Sequence, residues 1–247
     1  MFDRDKHVDT VEEYLRAYGS RLLYLTFTGS KLHGTETPDS DVDVTGIFLP
    51  SRESCLLGEQ EDLLKLDTSS DKVKNTSEDV DTVLWSVQYW LKKVGQGELN
   101  AVDLVYSFAS NHNELYRGDD ELNSLWMHPN SLFNFESYCK KVFGMANSVL
   151  AMLPRYKADG VEPRWKNLSH ALRHIRQMAE IFKSGYIRYP LVDSDYLRGV
   201  KLGEYLLEEV EFEIRCGLAR LKRLEKNPVY GYKHDLDFTS RFIVSLY

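Results

Sequence analysis

Cysteine is scarce in this chain: three residues in 247 (Cys55, Cys139 and Cys216), far apart and with no C-x-x-C pair. That argues against a disulfide framework or a cysteine zinc site, and fits reduced thiols in a cytoplasm. Long apolar runs are missing too. None approaches the roughly 20 residues that span a bilayer, so no membrane segment is expected. The opening residues, MFDRDKHVD, contain no apolar stretch of the kind a secretory signal needs. Positive charge is in deficit, with 31 Lys and Arg against 38 Asp and Glu and a formal net charge of −7. A protein that coats nucleic acid by bulk electrostatics is thereby disfavoured, while a local basic patch is not. There is no internal repeat and no low-complexity tract.

What is present is an ordinary globular composition, 43% hydrophobic and 12% aromatic. The length suits one large domain or two small ones. In chain order, Asp9 or Thr10 can cap a first helix that ends near Gly19. Residues 21–28, RLLYLTFT, read as a buried strand, followed by a Gly29-Ser30 turn, a helical turn at 31–33 and a loop at 35–39. Residues 41–49 form a second strand that Pro50 ends. Residues 63–66 are a short strand candidate, and 67–77 a polar exposed loop. VDTVLW at 80–85 reads either as a strand, with Asp81, Val83 and Trp85 on one face, or as a helix start. The strand is favoured, with Ser86 capping a helix that Gly95 and Gly97 close. Residues 99–106 follow as a short apolar segment. Beyond about Leu115 the pattern turns helical, with helices at 131–153, 165–183 and 195–224. The expected fold is α+β: a small mixed β-sheet domain flanked by helices over residues 1–115, then an all-helical domain over 116–247, divided in the polar stretch 110–120.

The stretch richest in chemistry is residues 28–49, TGSKLHGTETPDSDVDVTGIFL. Side chains at i and i+2 of a strand share a face, so Asp41 and Asp43 present two carboxylates side by side. The glycine turn before them exposes backbone N–H groups. Carboxylates suit hard cations and N–H donors suit phosphates. Two acids in a strand are usually just solvent-facing, but the whole phrase is more specific. Gly29, Ser30, Gly34, Ser40, Asp41 and Asp43 resemble the signature of the DNA polymerase β-like nucleotidyltransferase superfamily. The resemblance implies that Gly29 and Ser30 seat a triphosphate and that Asp41 and Asp43 hold two Mg²⁺ (or Mn²⁺) ions. It also implies that a later strand adds a third carboxylate. Two metals about 3.5–4 Å apart stabilise both oxygens of an in-line displacement. Asp81, which alternates with Val83 and Trp85, is the favoured third acid. Asp79 is next and Glu78 is close by; the bland alternative is that Asp79 and Asp81 only cap the following helix. Lys31 either adds positive charge at the phosphates or is an exposed helix residue.

Further along, residues 86–107 and the order of Lys166, His170, Arg173, the stretch 182–191 and Gly203-Glu204 are similar to predicted nucleotidyltransferases of bacterial and phage RNA-repair operons. In that family an acid-Leu-aliphatic strand follows a helix and turn, and Asp103-Leu104-Val105 matches it. His33 departs from the family, where many members carry a basic or small residue. On the helix at 165–183, Leu168, Leu172, Ile175, Ala179 and Phe182 form an apolar stripe, and Lys166, His170, Arg173 and Gln177 lie opposite. That polar face is either solvated or borders the nucleotide cleft. Tyr186, Tyr189 and Tyr196 read as packing residues, and His7, His112, His128 and His174 show no ligand spacing.

Two functions follow. One is a Mg²⁺-dependent enzyme that moves a nucleoside monophosphate from an NTP to an acceptor hydroxyl on an RNA end, a protein or a small molecule. The other is a nucleotide sensor, or an antitoxin-like partner protein, that keeps the fold. A third carboxylate within about 5 Å of Asp41 and Asp43 separates them in favour of the enzyme, because only then can the acids share a metal shell.

Overall fold

The computed structural model describes residues 2–67, 80–108, 113–118, 120–158, 161–226 and 234–247. Its centre is a mixed sheet of strands β1 (Arg21–Phe27), β2 (Val42–Leu49), β3 (Leu63–Asp67), β4 (Val80–Ser86) and β5 (Glu114–Arg117), in the order β3-β4-β2-β1-β5. β2 and β4 run parallel at the middle, and every other pairing is antiparallel. The helices are α1 (Arg4–Ala17), α2 (Gly29–His33), α3 (Arg52–Leu57), α4 (Val87–Gly95), α5 (Leu99–Ser107), α6 (Asn123–Trp126), α7 (Phe135–Ala158), α8 (Trp165–Ser184), α9 (Ser194–Leu202), α10 (Leu207–Glu225) and α11 (Leu236–Ser245). No described helix is long and apolar enough to cross a membrane, and the three cysteines are unbridged.

Each sheet face has its own cover. Val11 and Leu15 of α1 pack on Leu22, Leu25, Val44, Phe48 and Leu84. On the other face Leu23, Tyr24 and Ile47 open a second core, which continues through α4 and α5 into α7, α8 and α10. That larger core joins the sheet to the helical half. Alternation is clearest in β4, where Val80, Thr82 and Leu84 are buried while Asp81, Val83 and Trp85 are half-buried on the opposite face. Ser86 ends the strand and caps α4, its hydroxyl accepting from Tyr89 N at 3.2 Å.

Several local expectations are corrected. α1 begins at Arg4 under an Asp3 cap, whose carboxylate accepts from Lys6 N at 3.1 Å, so Asp9 and Thr10 lie inside the helix. Of apolar side chains its opening turns bury only Val8, and that in part, so the fully buried apolar pattern starts at Val11. Residues 99–107 are helical, so Asp103-Leu104-Val105 is not a strand. Seven consecutive residues there, Ala101 to Ser107, are buried, and a run buried all round carries no period that separates strand from helix. The helix expected over 195–224 is two. Gly203 breaks it with φ +76°, and a Cβ there would lie 2.8 Å from Trp165 Nε1. α7 runs past Pro154, where 131–153 had been expected to stop. β5, Glu114–Arg117, pairs with β1 across the expected 115/116 division. The loop expected at 67–77 falls, from residue 68 on, outside the described residues.

Candidate active site

The acids meet because of strand register. β2 and β4 are parallel neighbours with Asp43 directly opposite Asp81, and Asp41 stands two residues before Asp43, just ahead of β2. Carboxylate oxygens of Asp41, Asp43 and Asp81 all lie within 4.8 Å of one another. Glu78 and Asp79, the other candidates for the third acid, lie outside the described residues.

The turn between β1 and α2 closes over this cluster. Thr28 N donates to Asp43 O at 2.9 Å, and the Thr28 and Thr45 hydroxyls are 2.9 Å apart. Gly29 has φ +55°, and a Cβ there would sit 1.9 Å from Asp43 Oδ2. Only glycine brings the backbone this close to the carboxylate. Gly34 serves differently: at φ +74° it ends α2, and a Cβ would lie 2.8 Å from Pro190 Cβ. It thus lets the 189–191 segment sit on α2, where Leu191 N donates to His33 O at 3.2 Å.

Acids and turn form one side of a cavity of about 510 Å³. Asp41, Asp43, Asp81, Gly29 and Ser30 line it, and from the helical half so do Lys166, His170 and Arg173 of α8. Lys31 is not brought in: its ammonium lies 4.2 Å from the centre of the Phe27 ring. Helical geometry turns it away, since Ser30 and Lys31 are neighbours and project about 100° apart. Lys201 of α9, which the sequence did not single out, takes the place expected of Lys31. It lines the cavity, and its ammonium reaches the Ser40 hydroxyl at 3.3 Å and Thr35 O at 3.5 Å, tethering the loop that leads into Asp41. Val83, Trp85 and Asn100 complete the wall beyond Asp81.

Electrostatics divide the cavity. Burial raises the pKa of Asp43, and the charges of Asp41 and Asp81 raise it further, against Lys166 and Lys201. Burial lowers that of Lys201, and Lys166 adds to the effect, while Asp41 and Asp43 oppose it. His170 is depressed to about 4 by burial, then by Arg173, Lys166 and Lys201, so it is neutral at pH 7. Like charges are therefore crowded on each side: anions on the strands, cations on the helices. A cluster of three carboxylates within 4.8 Å, with the pKa of Asp43 raised, is the donor chemistry of a hard divalent cation, and the residues fit such an ion. The opposing cations fit an anion such as phosphate.

The polar face of α8 is open only at its start, where Lys166 is exposed and His170 half-buried, and is covered further along. Arg173, His174 and Gln177 are buried, and Tyr189 is buried against them. The reason is Asp103, which α5 brings beneath the cavity: Gln177 Nε2 and the Tyr189 hydroxyl both donate to its Oδ1 at 2.8 Å. His33, noted only as a departure from the family, lines the cavity and touches Arg173.

Comparison with known proteins adds the following. Residues 4–215 match the model of RlaP, the RNA repair pathway DNA polymerase beta family. Over 82 residues, 33% of this chain, it is 35% identical to an Enterobacteria phage T4 protein described as an uncharacterized 38.9 kDa protein in the nrdC-mobD intergenic region. That match spans 24% of the phage protein, about a quarter of its length. A nucleotidyltransferase-like protein from Exiguobacterium sibiricum, of known crystal structure, aligns over 99% of this chain and 79% of its own at 13% identity, with a TM-score of 0.34.

Proposed function

This chain belongs to the RNA repair pathway DNA polymerase beta family, and from that premise we propose that it is a divalent-metal-dependent nucleotidyltransferase. The observation that carries the reading is the trio of carboxylates within 4.8 Å on neighbouring strands, in one cavity with Lys166, Arg173 and Lys201.

In this reading Asp41, Asp43 and Asp81 hold Mg²⁺ or Mn²⁺, which supplies charge neutralisation at the reacting phosphate and lowers the pKa of the acceptor hydroxyl. Gly29 and Ser30 seat the triphosphate of an NTP through backbone N–H groups and the serine hydroxyl. Lys166, Arg173 and Lys201 face it from the helices and balance its charge. Neutral His170 adds a hydrogen bond without adding charge. The acceptor oxygen attacks the α-phosphorus, the bond from that phosphorus to the α,β-bridging oxygen breaks, and pyrophosphate leaves. Asp81, on the strand next to Asp43 and on the same face of β4 as Val83 and Trp85, takes the acceptor's proton. Positioning and charge carry the catalysis, with no covalent enzyme intermediate needed. The family's name favours an RNA end as acceptor over a protein or small-molecule hydroxyl, and a cytoplasmic setting accords with the unbridged cysteines.

Against the alternative of a sensor or antitoxin-like partner stands the same distance, since the third acid is close enough to share a metal shell. The test is incubation with each α-labelled NTP, Mg²⁺ or Mn²⁺, and a panel of RNA, protein and small-molecule acceptors, beside the Asp41→Asn, Asp43→Asn double variant. Label transfer with pyrophosphate release, lost in the double variant, is the expected result. Binding of NTP with no transfer to any acceptor would shift the reading to the sensor.

A further inference from the structure

Behind the cationic wall Asp103, His33 and His174 form a polar layer around Arg173 that the transfer reaction as described leaves unused. The Arg173 side chain is nine-tenths buried and its guanidinium touches three groups. Its Nη2 donates to His174 Nε2 at 2.8 Å, and its Nη1 meets His33 Nε2. Asp103 Oδ2 lies 3.6 Å from Nη1 and 3.5 Å from His33 Nε2. A guanidinium accepts nothing, so both histidines must accept through Nε2 and carry their single proton on Nδ1. Both are held neutral, their pKa values pushed well below the ordinary value by burial and then by Arg173. They hold the guanidinium in orientation without competing for its charge. Asp103 supplies the balancing charge. Its other oxygen is committed to Gln177 and Tyr189, which fix the carboxylate from behind.

What this layer leaves over is informative. Arg173 Nε is buried and finds no partner among the described residues, although Arg173 lines the cavity. A simple buried ion pair would satisfy both partners through its best-matched edge. Here the carboxylate lies a long 3.6 Å from Nη1 and Nη2 gives one of its two N–H groups to His174, while on the edge bearing Nε the Nε–H has no partner among the described residues. Such an edge matches two oxygens of a phosphate. Asp103 is not part of the carboxylate cluster that could hold a metal, so its place beside the cavity calls for another role.

We propose that Asp103 is a positioning residue: through Arg173, with His33 and His174 as neutral braces, it aims a guanidinium edge at the phosphates of the bound nucleotide. The proposal rests on the nucleotidyl-transfer reading and sharpens it, because it ties the α5 acid to the triphosphate and not to the acceptor. Asp103→Asn keeps an oxygen for Gln177 and Tyr189 but sets an amide donor against the guanidinium donors. Arg173→Lys keeps charge and loses the two-pronged edge.

The test is the Kd of an NTP with a non-cleavable α,β-methylene bridge, and the inhibition constant of inorganic tripolyphosphate, for wild type, Asp103→Asn, Arg173→Lys and the double variant. Each single change is expected to weaken both ligands about tenfold, and the double variant to stay within about twofold of the worse single, as for residues acting through one another. Effects that multiply to about a hundredfold in the double variant mean that Asp103 acts independently of Arg173, and that outcome overturns the proposal. So does unchanged affinity in Asp103→Asn. If Asp103→Asn does not fold, Tyr189→Phe removes one bond to Asp103 with every charge in place. An affinity loss of about threefold then supports the proposal, and unchanged affinity overturns it. A wild type that binds no triphosphate would instead fell the nucleotidyl reading and this inference with it, a result visible before any variant is made.

Discussion

On the sheet side of the cavity the chemistry comes from three carboxylates on neighbouring parallel strands. On the helical side it comes from cations on α8 and α9 and from a buried layer behind them. The acids are adjacent through backbone hydrogen bonding: Asp43 and Asp81 are register partners and Asp41 is two residues away. The Asp43–Asp81 spacing is fixed by strand register without side-chain packing, while Asp41 stands just ahead of β2 at the end of the loop that Lys201 tethers. The cations are adjacent through helix packing. Lys166 and Lys201 meet only because α8 and α9 pack side by side, and Arg173 faces the cavity only because Asp103, His33 and His174 hold it there. One wall is built by local geometry, the other by tertiary contacts, and they should fail differently when perturbed.

The largest expected effect is on the sheet wall. Asp41→Asn with Asp43→Asn should cut label transfer by about a thousandfold or more, the scale of losing charge stabilisation at a reacting phosphate, while circular dichroism stays native. A loss of helical signal instead would mean that the acids are structural and that the comparison is misdrawn.

The helical wall should show itself through pH. His33, His170 and His174 all titrate below their ordinary value in the folded protein, with His170 at about 4. The unfolded chain therefore takes up protons from about pH 6.5 downward while the folded protein does not. Stability is full above about pH 7.5 and falls as pH drops, by about 3 kcal/mol between about pH 6.5 and 5.5 for three such groups. Asp43 and Asp103, whose pKa values are raised, work in the opposite sense at lower pH. Urea unfolding at pH 7.5, 6.5 and 5.5 checks this, and a flat profile would contradict the buried neutral histidines. The decline should be shallower in His170→Gln.

These expectations sit on unequal foundations in the sequence. The acid pair, the glycine turn, β4 with its half-buried face and the Ser86 cap were legible because strand periodicity and capping are local rules. The polar face of α8 was legible as a face, but not that it is buried from Arg173 onward. Amphipathicity says which residues share a side and not what covers that side, and what covers Arg173, His174 and Gln177 is Asp103 of α5 with Tyr189. α5 itself was misread because it is buried all round. Lys201 was invisible because a charged residue on an exposed-looking helix carries no mark of what lies across a cavity. Lys31 was misplaced for the converse reason: nearness in sequence to the turn does not set the direction of its side chain.

The two lysines sharpen the contrast further. Lys201→Met should weaken NTP binding about tenfold, which corresponds to about 1.4 kcal/mol. Lys31→Met, removing a cation packed on Phe27 outside the cavity, should leave it within about twofold, the scale of a surface charge. Equal effects from the two would erase the distinction between a cation placed by packing and one that is merely near in sequence. The smallest effect expected is a gain. Burial and the neighbouring charges of Asp41 and Asp81 disfavour the Asp43 carboxylate in the metal-free fold, so Asp43→Asn should stabilise the protein without metal by about 1 kcal/mol. A thermal scan in chelator would show this as a Tm rise of about 2–4 °C.

The account turns on both walls gripping one nucleotide with a metal between them. Mn²⁺ uptake followed by electron paramagnetic resonance, with and without a non-cleavable NTP, measures that directly. The wild type should bind Mn²⁺ and bind it more tightly with the nucleotide present. Asp41→Asn with Asp43→Asn should lose the uptake, and Lys201→Met should keep it while losing much of the enhancement by nucleotide. Equal Mn²⁺ uptake by wild type and the double aspartate variant would contradict the account.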